Sequence, residues 1–107
     1  MPLKNNSQPG IEMPLLDKEC FDTIDTNENM LVPWYLMSAY AYYVEDDPIV
    51  SDAMYDNIVK KLLAHWDEVE HHHKHLLSRE ALEAGTYLGE YPSRVRGAVQ
   101  ELRRMKR

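Results

Sequence analysis

The 107-residue chain has one cysteine, Cys20, one phenylalanine, Phe21, and four glycines. A lone cysteine excludes an internal disulfide and suits a reducing compartment. There is no apolar run near twenty residues, so no membrane span is expected. The N-terminal stretch Met-Pro-Leu-Lys-Asn-Asn-Ser-Gln-Pro-Gly lacks the apolar centre of a signal peptide. The chain also has no Gly-rich phosphate loop, no Walker signature and no Ser-His-Asp pattern, so no catalytic residue is assigned. No alternating strand pattern competes with the helical periodicities, and no internal repeat occurs.

What is present is a globular composition with 44% hydrophobic residues and a net charge of −6. At this length one domain with a modest core is expected. The charge is uneven: residues 94–107 hold six basic residues against one acid, giving +5 there and leaving −11 for the rest. Residues 1–14, with three prolines and a glycine, read as a flexible arm, and residues 15–107 as a single helical domain. Residues 15–24 allow a short helix or an irregular strip. Thr26-Asn27-Glu28-Asn29 signals a turn or cap. A first helix is expected over 32–45, with Pro33 in its first turn and apolar or aromatic residues almost all round, marking it as the buried centre.

Asp46-Asp47-Pro48 ends that helix, because the residue before proline disfavours helical geometry. Ser51 is a good N-cap, and Asp52 in the following turn complements the helix dipole. A second helix is expected over 52–70, with Ile58, Val59, Leu62, Leu63 and Trp66 as its core stripe and Val69 continuing it. A short helix over 79–84 lies between the Ser78 cap and Gly85. A loop runs from Gly85 to Pro92. A last helix over 93–106 carries Val95, Ala98, Val99, Leu102 and Met105 at spacings of three and four. The expected fold is all-α: a helical hairpin over 31–70 plus a packed, basic C-terminal helix.

The segment Tyr40-Ala-Tyr-Tyr-Val-Glu-Asp-Asp-Pro-Ile-Val-Ser-Asp-Ala-Met-Tyr-Asp56 holds four tyrosines and five carboxylates. Asp52, Tyr55 and Asp56 stand at spacings of three and four, which places them on one face of a helix. Tyr40, Tyr42 and Tyr43 are expected to fold back beside them across the Pro48 turn. Such a set suits a flat cationic ring carrying a ribose: aromatic faces attract the cation and carboxylates accept from sugar hydroxyls. A helix cap beside an aromatic core accounts for the same residues without any ligand.

This segment resembles the small helical N-terminal domain of bacterial NAD-dependent DNA ligases, whose motif reads approximately Tyr-Tyr/His-Val-x-Asp-x-Pro-x-x-Ser/Pro-Asp-Ala-x-Tyr-Asp. Residues 42–56 match it without a gap. The resemblance implies that the domain grips the nicotinamide mononucleotide half of NAD. It implies Tyr42 and Tyr43 as ring contacts, and Asp52, Tyr55 and Asp56 as contacts on the ribose and phosphate side. It covers residues 31–70. The family's Lys-x-Asp-Gly nucleophile motif does not occur, nor do the remaining ligase domains. The expectation is therefore a nicotinamide-nucleotide-binding accessory subunit, not catalytic alone, working with a separate ligase core in a bacterial cell or a phage-infected host, in DNA replication or repair. The alternative is a non-catalytic interaction protein, such as a phage-encoded one, that reuses this fold to bind a host or replication protein.

Two further signals stand outside the motif. His71-His72-His73 and His75, after Glu68 and Glu70, offer ligand-compatible spacings if the helix continues: His71 with His75, and Glu68 with His72. The plainer reading is a solvated helix end and loop, and no metal site is assigned; His65 and Cys20 have no motif context. Arg94, Arg96, Arg103, Arg104, Lys106 and Arg107 on the last helix suit weak nucleic-acid contact, an acidic partner, or simply a solvated face with cations near a helix C-terminus. In the ligases the next domain occupies this position, so this helix departs from the family pattern.

Overall fold

A computed structural model describes residues 15–85, 87 and 89–105. The expected arm over 1–14 lies outside the described residues, as do Lys106 and Arg107. The elements are helices, in the order α1 (Asp17–Thr26), α2 (Leu31–Ala39), a π-helical turn (Tyr40–Val44), α3 (Asp52–Ala64), α4 (Arg79–Ala84) and α5 (Ser93–Met105), with short 3-10 turns at Glu28–Met30 and Lys74–Leu76. Among the described residues there is no strand, and the fold is all-α. No described helix is long and apolar enough to cross a membrane.

α2 is the centre. Every one of its side chains except that of Pro33 is buried, because the sequence Leu-Val-Pro-Trp-Tyr-Leu-Met-Ser-Ala offers no polar face to water. α3 packs along it through Met54, Tyr55, Ile58 and Leu62, a stripe at helical spacing. α5 packs on α2, and α4 on α3. α1 buries Cys20 and Ile24, one turn apart, while its outer face carries Lys18 and Asp22 in an exposed ion pair.

Four boundaries are set by chemistry visible in the sequence. Ser51 caps α3, its hydroxyl accepting from the Met54 N–H at 3.1 Å. Ser78 caps α4 in the same way, and Gly85 ends that helix at φ 80°, a left-handed geometry that suits glycine. Asn27 opens the turn ahead of α2 by accepting from the Asn29 N–H.

Two expectations need correction. The first helix does not run as a regular helix to residue 45: after Ala39 it widens into a π turn, with the Glu45 N–H donating to Tyr40 O at 3.2 Å. Asp46 then takes φ 55°, which an Asp tolerates and which breaks the helix before Pro48. The second helix ends at Ala64 and not at residue 70. The chain turns through 65–68, with the Glu68 and Val69 N–H groups donating to His65 O. Val69 is still fully buried, but from a loop, so the apolar stripe outlasts the helix that was expected to carry it.

Candidate functional site

The motif tyrosines are placed by two elements meeting end to end. The π turn presents Tyr40, Tyr42 and Tyr43, and the first turns of α3 present Asp52, Tyr55 and Asp56. A π turn inserts one extra residue and so shifts the residues beyond it from the register of α2. Tyr42 is buried and Tyr43 is 37% exposed; their rings meet edge to face with centroids 4.8 Å apart. The Tyr43 hydroxyl donates to Gly85 O at 3.3 Å, joining the π turn to the end of α4.

Tyr55 points inward and is 2% exposed. Its ring lies 5.6 Å from that of Tyr35 on α2. The structure therefore does not put Tyr55 on one open surface with its neighbours at three and four: Asp56 is exposed and Asp52 half-buried, while the phenol enters the core. The contact continues from Tyr35 to Tyr87 (6.1 Å), Tyr87 to Tyr91 (5.0 Å) and Tyr91 to Tyr40 (5.3 Å), so all seven tyrosines of the chain belong to two adjoining ring assemblies. Gly89 lets Tyr87 lie flat against the loop, since a Cβ there would sit 2.7 Å from the Tyr87 hydroxyl.

The hydroxyls of Tyr35, Tyr55 and Tyr91 are buried; those of Tyr35 and Tyr55 interact only with each other, and that of Tyr91 has no protein hydrogen-bond partner. Each such group costs about 1–3 kcal/mol if left unsatisfied. Burial raises the pKa of Tyr35, Tyr55 and Tyr91, and the neighbouring Tyr43 phenol adds to the rise at all three. These phenols are therefore neutral donors, and Tyr43 is close enough to feel them. Tyr43 itself is raised by partial burial and by Tyr42. The region is an assembly of aromatic rings with buried hydroxyls, and Asp52 and Asp56 stand on the same helix as Tyr55. That is chemistry for a flat, partly cationic ring with a polyhydroxyl substituent.

Residues 35–81 match the family model of the DNA ligase-like, N-terminal NAD+-binding domain. No curated protein and no solved structure matches the chain. The ligase-like module thus begins at Tyr35 within α2, takes in the π turn, α3 and the histidine loop, and ends in α4. The matched family model is described as NAD+-binding, and the matched segment of this chain is helical. α1 and α5 lie outside the matched residues.

Those two outer helices nevertheless hold the ligase-like motif in shape, through residues that no sequence motif singles out. Asp17 at the start of α1 accepts from the Ser51 N–H at 2.8 Å and from the Ser51 hydroxyl at 2.5 Å, and the Leu16 N–H donates to Ile49 O at 2.7 Å. The N-cap beside Asp52 is thereby fixed from outside. On the other flank Arg103 of α5 is only 9% exposed. Its guanidinium donates to Glu45 Oε1 at 2.7 and 3.0 Å and to Asp47 O at 2.5 Å, and it pairs with Asp47 Oδ2 at 3.1 Å. Gln100 adds a donor to Glu45 Oε2 at 2.6 Å.

Arg103 thus departs from the expected basic outer face: it is an internal clamp on the turn that ends the tyrosine run. The planar fork fits a carboxylate and a carbonyl together, which an ammonium group does less well. Arg94, Arg96 and Arg104 remain exposed, Arg104 pairing with Glu101. Lys106 and Arg107 lie outside the described residues. No periodicity argument finds Asp17, and none of the motifs includes Arg103. The only hint in the sequence is that Arg103 falls one turn after Val99, on the apolar stripe of its helix.

Proposed function

We propose that this chain binds the nicotinamide mononucleotide half of NAD and acts with a separate ligase core in the adenylation step of DNA ligation. The observation that carries the reading is the match of residues 35–81 to the model of a DNA ligase-like, NAD+-binding domain, which takes in the motif tyrosines. In this reading Tyr43, the most open of the motif tyrosines, takes the nicotinamide ring, and Tyr42 backs it edge to face. Asp52 and Asp56 accept from the ribose hydroxyls. Tyr55 supplies a hydroxyl from below, and its assignment requires a small opening between α3 and the π turn. The chain orients the departing mononucleotide, and the adenylate goes to a nucleophile on the partner core. Placement in the cytoplasm of a bacterium or of a phage-infected bacterium fits this role.

The deep burial of Tyr42 and Tyr55 favours a second reading, in which the tyrosines are core residues and the ligase-like fold is reused to bind a host or replication protein. The two are separated by an NMR titration of labelled protein with nicotinamide mononucleotide, NAD and AMP. The first reading expects saturable shifts at Tyr42, Tyr43, Asp52, Tyr55 and Asp56 with the mononucleotide and NAD but not AMP, abolished in Asp56→Ala. A site completed by another subunit binds weakly, in the millimolar range of about 4 kcal/mol, which such a titration still detects. Flat spectra at saturating ligand, with and without a ligase core, would sink the first reading.

A further inference from the structure

The loop between α3 and α4 brings together three imidazoles that the proposed nucleotide site does not use. We propose that His71, His72 and His73 form a binding site for a borderline divalent transition ion, zinc foremost, with one coordination position left open.

The ligand atoms of the three rings all lie within 4.8 Å of one another. Tetrahedral zinc with imidazole ligands needs nitrogens about 3.3 Å apart, so the set has to close by up to about 1.5 Å on binding. The rings are already in mutual contact, with centroids 4.5 Å apart for His71–His72, 4.0 Å for His72–His73 and 5.4 Å for His71–His73. The pairs suggested by helical spacing, His71 with His75 and Glu68 with His72, are not formed, because α3 ends at Ala64 and the histidines sit in a turn.

The backbone beneath the rings is held from several sides. Val69 is fully buried, and the Glu70 N–H donates to Asn29 Oδ1 at 2.8 Å. Lys74 Nζ donates to Trp66 O at 2.5 Å and Val69 O at 2.9 Å, and sits 4.6 Å over the Trp66 ring. His75 Nδ1 is bonded to His72 O at 2.8 Å, so that ring braces the loop and stays outside the triad. A loop so fixed loses little further entropy when three of its side chains take up an ion.

His71 Nδ1 accepts from the His73 N–H at 3.1 Å, so that nitrogen is unprotonated, and ligation there exchanges a hydrogen bond for a coordinate bond. Imidazole donors without carboxylates select zinc, copper or nickel over magnesium and calcium. Arg94 lies near His73, and its positive charge opposes a cation at the same place.

The test is zinc chloride titrated into the untagged full chain by calorimetry, with cobalt(II) absorption as a second readout and circular dichroism to check folding. The expected result is one zinc per chain and no response to magnesium. His71→Ala and His73→Ala should each weaken binding by at least about tenfold, since each removes one of three ligands. His65→Ala, at the end of α3, should leave it unchanged, and Arg94→Gln should tighten it about two- to threefold by removing a nearby charge. Binding of several zinc ions per chain, or equal losses on removing His65 and His71, would mean diffuse association with exposed imidazoles and would overturn the proposal. So would the absence of a cobalt spectrum with an intact fold.

Discussion

α2 and α5 both lie against the tyrosine motif, yet they are attached by different means. All but one of the side chains of α2 are buried, whereas α5 buries only Val95, Val99 and Arg103. α2 is held by the hydrophobic effect over its whole circumference, a force without direction. α5 is held by a narrow stripe, Val95 and Val99 with the partly buried Ala98 and Leu102, and by Gln100 and Arg103, whose partners Glu45 and Asp47 must be met in one geometry. The first kind of attachment builds the body of the ligase-like module. The second fixes the conformation of one turn, the one that closes the tyrosine run. A charged clamp is a poor source of net stability but a good source of uniqueness in this setting, because a misplaced turn would leave a buried guanidinium unpaired.

The sharpest way to break the contrast is to damage each side in turn. Leu36→Ala in α2 removes a fully buried side chain and should cost about 2–5 kcal/mol in a urea titration. Arg103→Ala strips the clamp from Glu45 and Asp47. Because Asp47 is half exposed, water recovers part of the loss, and about 2 kcal/mol is expected. Arg103→Met should restore a good part of that stability, yet leave the amide signals of Tyr43 to Asp47 broadened. Equal spectra for Arg103→Met and the natural chain would show that the clamp does not shape the turn.

Alkaline pH probes the core of the α1 side. Burial, with Asp17 nearby, pushes the Cys20 thiol from 9.0 up to about 12. A group raised on folding stabilises fully below its unfolded pKa, and that contribution fades as pH rises through the window from 9 to about 12. The midpoint of urea unfolding should therefore fall above pH 9, by about 1 kcal/mol at one unit beyond the thiol's ordinary value. The fall should be shallower in Cys20→Ala. Native Cys20 should also react with iodoacetamide only on unfolding.

Ser51→Ala tests the other flank of the motif. Loss of the N-cap hydroxyl should cost about 1 kcal/mol, with Asp17 keeping its bond to the residue-51 N–H. Smallest of all is Arg96→Ala on the exposed face of α5. No change in stability beyond about 0.5 kcal/mol is expected, which calorimetry can check.

Much of the architecture is legible in the residues. Ser51, Ser78 and Gly85 mark three helix ends, because capping needs only a hydroxyl or a missing Cβ at one place in the chain. The all-round apolar run of α2 marks the centre of the fold, and the ungapped run from Tyr42 to Asp56 marks the ligase-like segment. Less legible is the end of α3. Trp66 and Val69 continue its stripe, so periodicity extends the helix, but the chain turns at His65 and buries Val69 from a loop.

Residue type and short-range spacing were enough to set the helical class, the caps, the buried centre and the ligase-like motif, since each rests on contacts within about one helical turn or on side-chain chemistry alone. The assembled fold was needed to open the motif's helix into a π turn, to send Tyr55 into the core against Tyr35, and to leave Tyr43 at the surface. It turned Arg103 inward onto residues 56 and 58 positions away in the chain, and brought Asp17 to Ser51 across 34. It also drew three histidines together in a pinned loop. The reason is common to all of these: they depend on which distant groups meet after the core closes, and no local spacing encodes a partner that far along the chain.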